Sequence, residues 1–598
     1  MRVADYIFKF LADQGVRHAF LVTGGGAMFL NDALGREKRI RYICNLHEQA
    51  CAIAAEGYAR VTGQAGVICV TTGPGGTNAL TGVAGAWLDS IPMIIISGQV
   101  KFSTTVASCP ELKLRQLGDQ ELNIVDMVRP ITKYAAMVTE PEKIREELSK
   151  AWQLCHSGRP GPVWLDIPHN IQSAVLPDDF ESPAVEIPEA PDVCPDIVSG
   201  VVERLKKARR PAIIAGIGVR HSKAAESLLH WAEKCHIPIL TAISGIDLLP
   251  SAHPLFFGRP GILGERAGNF IMQNCDCLLV LGTRMNLRMI GFAYETIARE
   301  ACRIMVDIDP AELEKPTFRP HIKIAADCGK FLKELSRQLP ELPVQESWLT
   351  YCRRMKEQYP VITAGHRAVE DYVSSYVFPE MVSDHCNGNE IIVTGNGIAY
   401  TSTFQTFPVK KNMRMFANVA CASMGYGLPA AIGASLAGNG RKVVCFTGDG
   451  SIQMNIQELQ TVINYGLDLK IFVYNNGGYL SIKLTQKSFF DGHMVGSESS
   501  SGIILPDLEK LATAYGLPFF RLRNHQEAIA LLPEIMAVEG AVLVEVMTDP
   551  WEIPTPKAAS KRLSDGSMVS APLEDMYPFL DREEFLSNML IEPLPEEF

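Results

Sequence analysis

Three absences narrow the reading of this 598-residue chain. No apolar stretch reaches the roughly 18 residues that a membrane-crossing helix needs without meeting a charge or a turn former. The first residues carry Arg2, Asp5, Lys9 and Asp13 in an amphipathic helical pattern, unlike the apolar centre of a secretion signal. A soluble, unprocessed, cytoplasmic protein with no membrane partner is expected. Positive charge is also lacking: a formal net charge of −11 and a pI near 5.7 leave no basic excess for a phosphate backbone, which argues against nucleic acid as a partner. The 15 cysteines, finally, lack ligand spacing; they scatter through apolar segments such as Val67-Ile68-Cys69-Val70, and Cys275 and Cys277 form C-x-C rather than C-x-x-C. Buried free thiols are the expectation, and zinc has no support.

What is present is ordinary globular content, 47% hydrophobic, in a chain too long for one core and long enough for about three domains. A helix at 3–14 leads to a strand at 18–22, the turn Gly24-Gly25-Gly26, and short apolar strands at 67–71, 93–97 and 163–167, which together define a unit over 1–182. The Pro-rich, acidic stretch 182–195 reads as a linker. A second unit, 196–345, has strands at 211–214, 237–241, 277–281 and 303–307; a helical, polar connection covers 346–385. The third unit, 386–547, opens with the strand at 391–394 and closes with 541–546, and residues 548–598 read as an arm. Strands alternating with helices predict parallel sheets covered on both faces, an α/β fold of three doubly wound parallel-sheet domains.

The most informative segment is Thr447-Gly448-Asp449-Gly450-Ser451, which ends the apolar run 443–446 and is answered by Asn475-Asn476-Gly477-Gly478 after a second strand at 469–474. With a helix predicted at 455–464, the glycines sit where a strand turns into a helix. There glycine lets backbone N–H groups approach a phosphate, and the positive end of the helix favours its charge. An Asp carboxylate and an Asn amide oxygen supply two hard ligands to Mg²⁺. Gly-Asp-Gly alone occurs at many strand-to-helix turns. The paired asparagines distinguish this one: they follow Gly450 after residues 451–474, a spacing that resembles the thiamine diphosphate signature.

On these segments the chain resembles the thiamine diphosphate enzymes, and further blocks narrow the resemblance to the acetohydroxyacid (acetolactate) synthase branch over nearly the whole chain. These are Leu46-His47-Glu48-Gln49-Ala50, Ala54-Ala55-Glu56-Gly57-Tyr58-Ala59-Arg60, Thr72-Gly73-Pro74-Gly75-Gly76-Thr77-Asn78, Asp89-Ser90-Ile91-Pro92, Ser97-Gly98-Gln99-Val100, Arg129-Pro130-Ile131-Thr132-Lys133 and the run from Met424 through Gly425, Tyr426 and Gly427 to Gly433. The resemblance implies pyrimidine-binding, central and diphosphate-binding domains, with Asp449, Asn476 and the Gly478 carbonyl as Mg²⁺ ligands. It also assigns cofactor contacts to Pro74, Asn78, Gly397, Ile398, Ala422, Gly448, Gly450, Ser451, Tyr479 and Leu480. Glu48, at the start of an Ala-rich helix that stops at Gly63, would hydrogen-bond N1′ of the aminopyrimidine and promote the imino tautomer that generates the ylid. Met424 would be the wedge that bends the cofactor, making proton removal intramolecular. One cofactor would be shared between two chains, so a homodimer, or a homotetramer as a dimer of dimers, is implied.

The implied activity is carboligation: decarboxylation of a 2-keto acid donor, with pyruvate the expected one, and transfer of the two-carbon unit to a small-molecule carbonyl acceptor. Simple decarboxylases of the family carry a His-His pair where this chain has Gln116-Leu117-Gly118-Asp119-Gln120-Glu121. Gln120 matches a glutamine near the reacting carbonyl. Asp119 replaces phenylalanine, and Tyr479-Leu480-Ser481-Ile482-Lys483-Leu484-Thr485 lacks the tryptophan by which the synthases select their acceptor. The polar loop 491–502 suits an adaptable wall. Two product classes stay open, an acetolactate-type hydroxy acid and a branched sugar made on a nucleotide-linked keto sugar, with a non-ligating decarboxylase or lyase as a further alternative. Gly216, Gly218, Arg220, Gly282, Arg284 and Asp307 resemble an FAD cradle, although Met285-Asn286-Leu287-Arg288 replaces the usual Phe-Asp-Asp-Arg. The segment 561–584 holds enough apolar residues to be expected docked near the active-site entrance.

Overall fold

The computed structural model describes residues 1–177, 192–562 and 568–594; the expected linker at 182–195 lies, up to residue 191, outside them. Strands β1 (His18–Leu21), β2 (Arg41–Cys44), β3 (Gly66–Val70), β4 (Met93–Gln99), β5 (Tyr134–Met137) and β6 (Pro162–Pro168) form an all-parallel sheet in the order β2-β1-β3-β4-β6-β5. A second parallel sheet, β11-β10-β9-β7-β8, contains β7 (Pro211–Ala215), β8 (Ile239–Thr241), β9 (Cys277–Leu281), β10 (Cys302–Asp307) and β11 (Ile322–Ala325). The third, β13-β12-β14-β15-β17-β16, contains β12 (Ile391–Thr394), β13 (Arg414–Phe416), β14 (Val443–Gly448), β15 (Leu469–Asn475), β16 (Phe519–Leu522) and β17 (Val542–Met547) and is again parallel throughout. Counted from its own first strand, each six-stranded sheet has the order 2-1-3-4-6-5.

Helices cover both faces of these sheets, so interior strands such as β3, β4, β6, β9 and β12 are buried at every residue and read as continuous apolar runs. The sequence offers no such run for β2, β11, β13 and β16, and the run at β5, Tyr134 to Val138, is not among the predicted strands. All five are sheet edges with partly exposed residues, where an apolar run is not required.

The helix Glu48–Thr62 ends on Gly63 in the left-handed conformation, φ 70°, and crosses the helix Gly427–Ala437 of the third unit at backbone contact. A Cβ on Gly57 would lie 2.3 Å from the Ala430 carbonyl oxygen, and one on Gly433 would lie 1.8 Å from that of Ala54. No side chain fits between them.

Helix Glu346–Gln358 is less polar than its sequence position suggests: Trp348, Leu349, Tyr351, Cys352 and Met355 enter the core of the second unit. The C-terminal arm joins that core too, through Leu573 and Phe585. Its Glu574 accepts hydrogen bonds from Gln273 Nε2 (2.5 Å) and Arg299 Nη1 (2.7 Å), and the Met576 carbonyl accepts one from Arg266. The arm thus covers the wholly buried helix Arg266–Asn274 of the second unit. Its other side borders Ser488 and Phe489, the far end of the helix Leu480–Phe489, across a cavity of about 890 Å³.

Because the crossing tolerates no Cβ, Gly433→Ala should destabilise the protein by about 1–3 kcal/mol through overpacking. Gly200→Ala, in the helix Pro195–Lys207 with open space around the added carbon, should be neutral or stabilise by up to about 1 kcal/mol. Denaturant midpoints test the pair; equal midpoints would contradict the backbone contact.

Candidate functional site

The hydrogen-bonded ladder of β14 continues through Gly448, which pairs with Tyr474 of β15, and a helix begins on the next residue, Asp449–Ile452. A 3-10 turn, Gln453–Asn455, and the helix Glu458–Asn464 follow, where the sequence predicts one helix from 455. Asp449 therefore stands at the C-terminal edge of the sheet, the side on which ligands bind in open α/β folds. It is buried; its Oδ1 accepts a hydrogen bond from Gly450 N (2.8 Å) and its Oδ2 one from Gly478 N (3.0 Å). Burial pushes its carboxyl up to about 6, and the backbone N–H groups of Gly478, Gly450, Gly477 and Asn476 oppose that rise.

Asn476 is buried beside it, and its Oδ1 has no hydrogen-bond partner among the described residues. An unpartnered buried amide oxygen costs about 1–3 kcal/mol, so it is suited to a cation. Gly478 adopts φ 133°, and a Cβ there would lie 2.2 Å from the Ser497 carbonyl oxygen; one on Gly450 would strike the Tyr479 ring at 2.3 Å. Both glycines are needed for packing as well as for ligand approach. Lys483, buried to 1% exposure, donates to the Asn476 carbonyl at 2.8 Å.

Ser451 Oγ accepts from Gly425 N (3.0 Å) and so ties this loop to the segment carrying Met424. Met424 is 39% exposed, which separates it from a gap-filling core methionine. Ala422 holds a left-handed φ of 51°, and its carbonyl accepts from Asn396 Nδ2 at 3.2 Å. Gly397, φ 64°, precedes the helix Ile398–Thr406, and the nearest atom to its Cβ position is Ser481 Oγ at 3.9 Å. Leu480 is buried at the start of the helix that follows Tyr479.

A second cluster lies in the N-terminal unit. Glu48 is the first residue of its helix, and the preceding His47 caps it by accepting from Gln49 N through Nδ1 at 3.1 Å. The buried Glu48 carboxylate accepts from Asn78 Nδ2 at 3.0 Å, and Asn78 belongs to the helix Pro74–Asp89, opened by Pro74. Gly73, φ 64°, lies against the backbone of Gln120, whose carbonyl oxygen is 2.5 Å from the Cβ position. Gln120 itself has φ 59°; its side chain and that of Asp119 are exposed. Among the described residues, no hydrogen bond joins the Glu48–Asn78 pair to the Asp449–Asn476 loops within one chain.

The residues expected to form an FAD cradle divide. Gly218, Gly282, Arg284 and Asp307 line a cavity of about 980 Å³ between the first and second units, shared with His221 and Arg159. Burial pushes the Asp307 carboxyl up to about 6, and it accepts from Asp309 N at 2.9 Å. Gly216 is elsewhere: a Cβ there would meet Thr283 at 2.5 Å, so its glycine permits two loops to pack. Arg220 is occupied by Asp247, at 2.7 Å, which also binds Arg414. Beyond Gly282 and Arg284 the space narrows to about 50 Å³ beside Asn286 and Met289, and a separate space against Arg288, Tyr400 and Phe404 holds about 20 Å³. The residues fit the nucleotide half of FAD, with Asp307 for a ribose hydroxyl; neither narrow space has the size of its ring system.

Lys483, Glu56, Arg60, Asp89, Asn418 and Glu458 have no role of their own in the sequence analysis, although Glu56 and Arg60 stand four apart in a helix that is otherwise apolar from Ala50 to Val61. That spacing is the available signal of a buried ion pair. Among the described residues all 15 cysteines are free, no His/Cys/Asp/Glu cluster suits a metal, and no helix is long and apolar enough to cross a membrane.

Three family models match in chain order: the thiamine pyrophosphate enzyme N-terminal TPP binding domain over residues 1–127, the central domain over 198–335, and the C-terminal TPP binding domain over 395–546. The chain is 35% identical to the acetolactate synthase isozyme 1 large subunit of Escherichia coli, covering 92% of this chain and 94% of that one. It is 33% identical to the probable acetolactate synthase large subunit of Methanocaldococcus jannaschii (92% and 93%) and 30% identical to the acetolactate synthase large subunit of Lactococcus lactis (91% and 92%). With its parallel-sheet units in the same order and a Gly-Asp-Gly loop facing an Asn-Asn turn, the chain belongs to the thiamine pyrophosphate enzymes, in the acetolactate synthase-like branch of C–C bond-forming members.

Proposed function

We propose that this enzyme decarboxylates pyruvate and transfers the two-carbon unit to a carbonyl acceptor. The observation that carries the reading is the pairing of the buried Asp449 carboxylate with the unpartnered Asn476 Oδ1 at the sheet edge. Asp449, Asn476 and the Gly478 carbonyl would hold Mg²⁺ against a diphosphate, with Gly448, Gly450 and Ser451 lining its approach. Thiamine diphosphate supplies the carbon nucleophile and electron sink that 2-keto acid decarboxylation requires. Glu48, held by Asn78, would hydrogen-bond N1′ of the aminopyrimidine and share its proton with that ring nitrogen; the Ala422 carbonyl and Met424 would orient and bend the cofactor. The Gln120 backbone lies against Gly73, next to Pro74, and the side chains of Gln120 and Asp119 would face the acceptor. Arg284 and Asp307 would bind the nucleotide part of FAD, and no step of the transfer is assigned to a flavin. Magnesium loading, like the reducing cytoplasm suggested by the free thiols, belongs to the same reading.

A second acceptor class, a nucleotide-linked keto sugar, has its own support. Asp119 is exposed, and the polar loop 491–502 packs directly on the metal turn, where the Ser497 carbonyl accepts from Tyr479 N at 2.9 Å. Incubation with pyruvate and a panel of keto-acid and keto-sugar acceptors, followed by mass spectrometry, discriminates the two. A two-carbon mass gain on an acceptor with release of CO₂ supports transfer and names its class; acetaldehyde alone overturns it.

Glu48 and Asp449 are read as serving one cofactor from two chains of a homodimer, or of a homotetramer built from it. Glu48→Gln should retain fold and Mg²⁺-dependent cofactor binding but lose at least about 100-fold in turnover. Mixed with an equally inactive Asp449→Asn protein and allowed to exchange subunits, it should recover about a quarter of wild-type activity, since half the dimers would be hybrids with one intact site. No recovery despite exchange would place each site within one chain.

The raised Asp449 carboxyl sets a pH dependence. Mg²⁺ must displace a proton held up to about pH 6, so its affinity should rise by about tenfold per unit below pH 6 and level off above it. The metal-free protein shows the reverse linkage: the native state binds this proton more tightly than the unfolded chain, and the resulting stability is lost as pH rises through 6. Calorimetric titration across this range checks both signs, and a flat Mg²⁺ affinity would contradict them.

A further inference from the structure

Two loops that the proposed function assigns to the cofactor are each fixed from the opposite unit by a buried carboxylate. Asn45 follows β2 directly and stands three residues before Glu48. Its Nδ2 donates to Glu458 Oε2 at 2.8 Å, and the next backbone group, Leu46 N, donates to Glu458 Oε1 at 2.9 Å. Glu458 lies on the helix Glu458–Asn464 of the diphosphate unit and is buried completely; Thr461 Oγ1 supplies a further donor at 2.7 Å.

The reverse arrangement begins with Asn418, just after β13 and four residues before Ala422. Its Nδ2 donates to both carboxylate oxygens of Glu56, at 3.0 and 3.1 Å, while its Oδ1 accepts from Cys421 N (3.1 Å) and Ala422 N (3.3 Å). Val419 N and Ala420 N donate to Asp89 at 2.9 and 3.1 Å. Arg60 ties Glu56 to Asp89, with contacts of 2.6 Å to each. Four successive backbone N–H groups of the third unit's loop are therefore held by side chains, and those side chains are oriented by the N-terminal unit. Ala422 keeps its left-handed conformation inside this set, as expected where surroundings over-determine a strained residue.

We propose that Glu56 and Glu458 are positioning residues: through Asn418 and Asn45, each unit's carboxylate sets the catalytic loop of the other. Glu458 fixes the approach to Glu48, and Glu56 fixes the Ala422–Met424 segment. The inference rests on the cofactor roles given to those residues above. Since Glu48 and Glu56 share one helix, displacement of that helix would move the activating acid and the wedge loop together.

The test is exchange of the bound cofactor's C2 hydrogen for deuterium, measured in full-length protein loaded with thiamine diphosphate and Mg²⁺, with cofactor affinity and unfolding midpoint recorded beside it. In Glu56→Gln and Glu458→Gln an amide donor faces the asparagine's own amide donor, and exchange should fall by about tenfold to a hundredfold, as for a catalytic group displaced by about 1 Å. Reversing the pairs, as E56Q/N418D and E458Q/N45D, restores donor to acceptor and should recover most of the exchange. Wild-type exchange in both single variants overturns the proposal, as does a loss that the reversed pairs leave unrecovered. Failure of the wild-type protein to bind thiamine diphosphate would instead overturn the cofactor reading on which it rests.

Discussion

The crossing of the helices Glu48–Thr62 and Gly427–Ala437 at Gly57 and Gly433 is the contact on which the arrangement of the two outer units depends. Because neither glycine leaves room for a Cβ, the two backbones touch, and the helices can meet at only a narrow range of separations. Each helix follows the second strand of a sheet with the order 2-1-3-4-6-5, so the contact joins equivalent elements of two similarly connected units. The loops before these helices, at Asn45 and Asn418, consequently lie where the opposite unit can reach them. A looser crossing would withdraw Glu56 from Asn418.

That closeness requires burying charge. Glu56 is fully buried, and desolvation raises its carboxyl against the opposing effect of Arg60; Glu458 is raised likewise by burial, against hydrogen bonds from Asn45, Thr461 and Leu46. Such groups persist because the carboxylate oxygens of both glutamates have hydrogen-bond donors, and removal of one partner is more damaging than replacing the whole set. Their contribution is better described as fixing one geometry than as adding stability. Asp247, shared by Arg220 and Arg414, does the same at the boundary of the second and third units. Asn476 Oδ1, like Asn45 Oδ1, is a buried acceptor with no donor among the described residues, in a loop that is otherwise tightly held.

The Asp449 turn and the Asp119–Gln120 loop differ in construction. Asp449, Gly450 and Gly478 are set by the ends of adjacent strands and by contacts that exclude larger residues. Asp119 and Gln120 lie on an exposed loop that touches the rigid part through backbone at Gly73, so their chemistry can vary without disturbing the metal turn. The space near Asp307 shows a similar division, roomy beside Asp307 and Arg284, with separate narrow spaces beside Met289 and Tyr400.

The sequence alone determined the parallel α/β units and the Gly-Asp-Gly turn from strand to helix, because both are written in short-range patterns: buried strands favour apolar runs, and a tight turn favours glycine. It also fixed the Asn pair at the end of the next strand, since strand length sets where that pair emerges. Edge strands such as β2 and β13 escaped it because half-exposed residues carry no such pattern. Only the tertiary structure decided that Arg220 serves Asp247, that the arm covers the second unit, and that Glu56 and Glu458 reach across to Asn418 and Asn45. Those pairings join residues hundreds of positions apart, and nothing local in a glutamate or an asparagine records which partner the folded chain will bring to it.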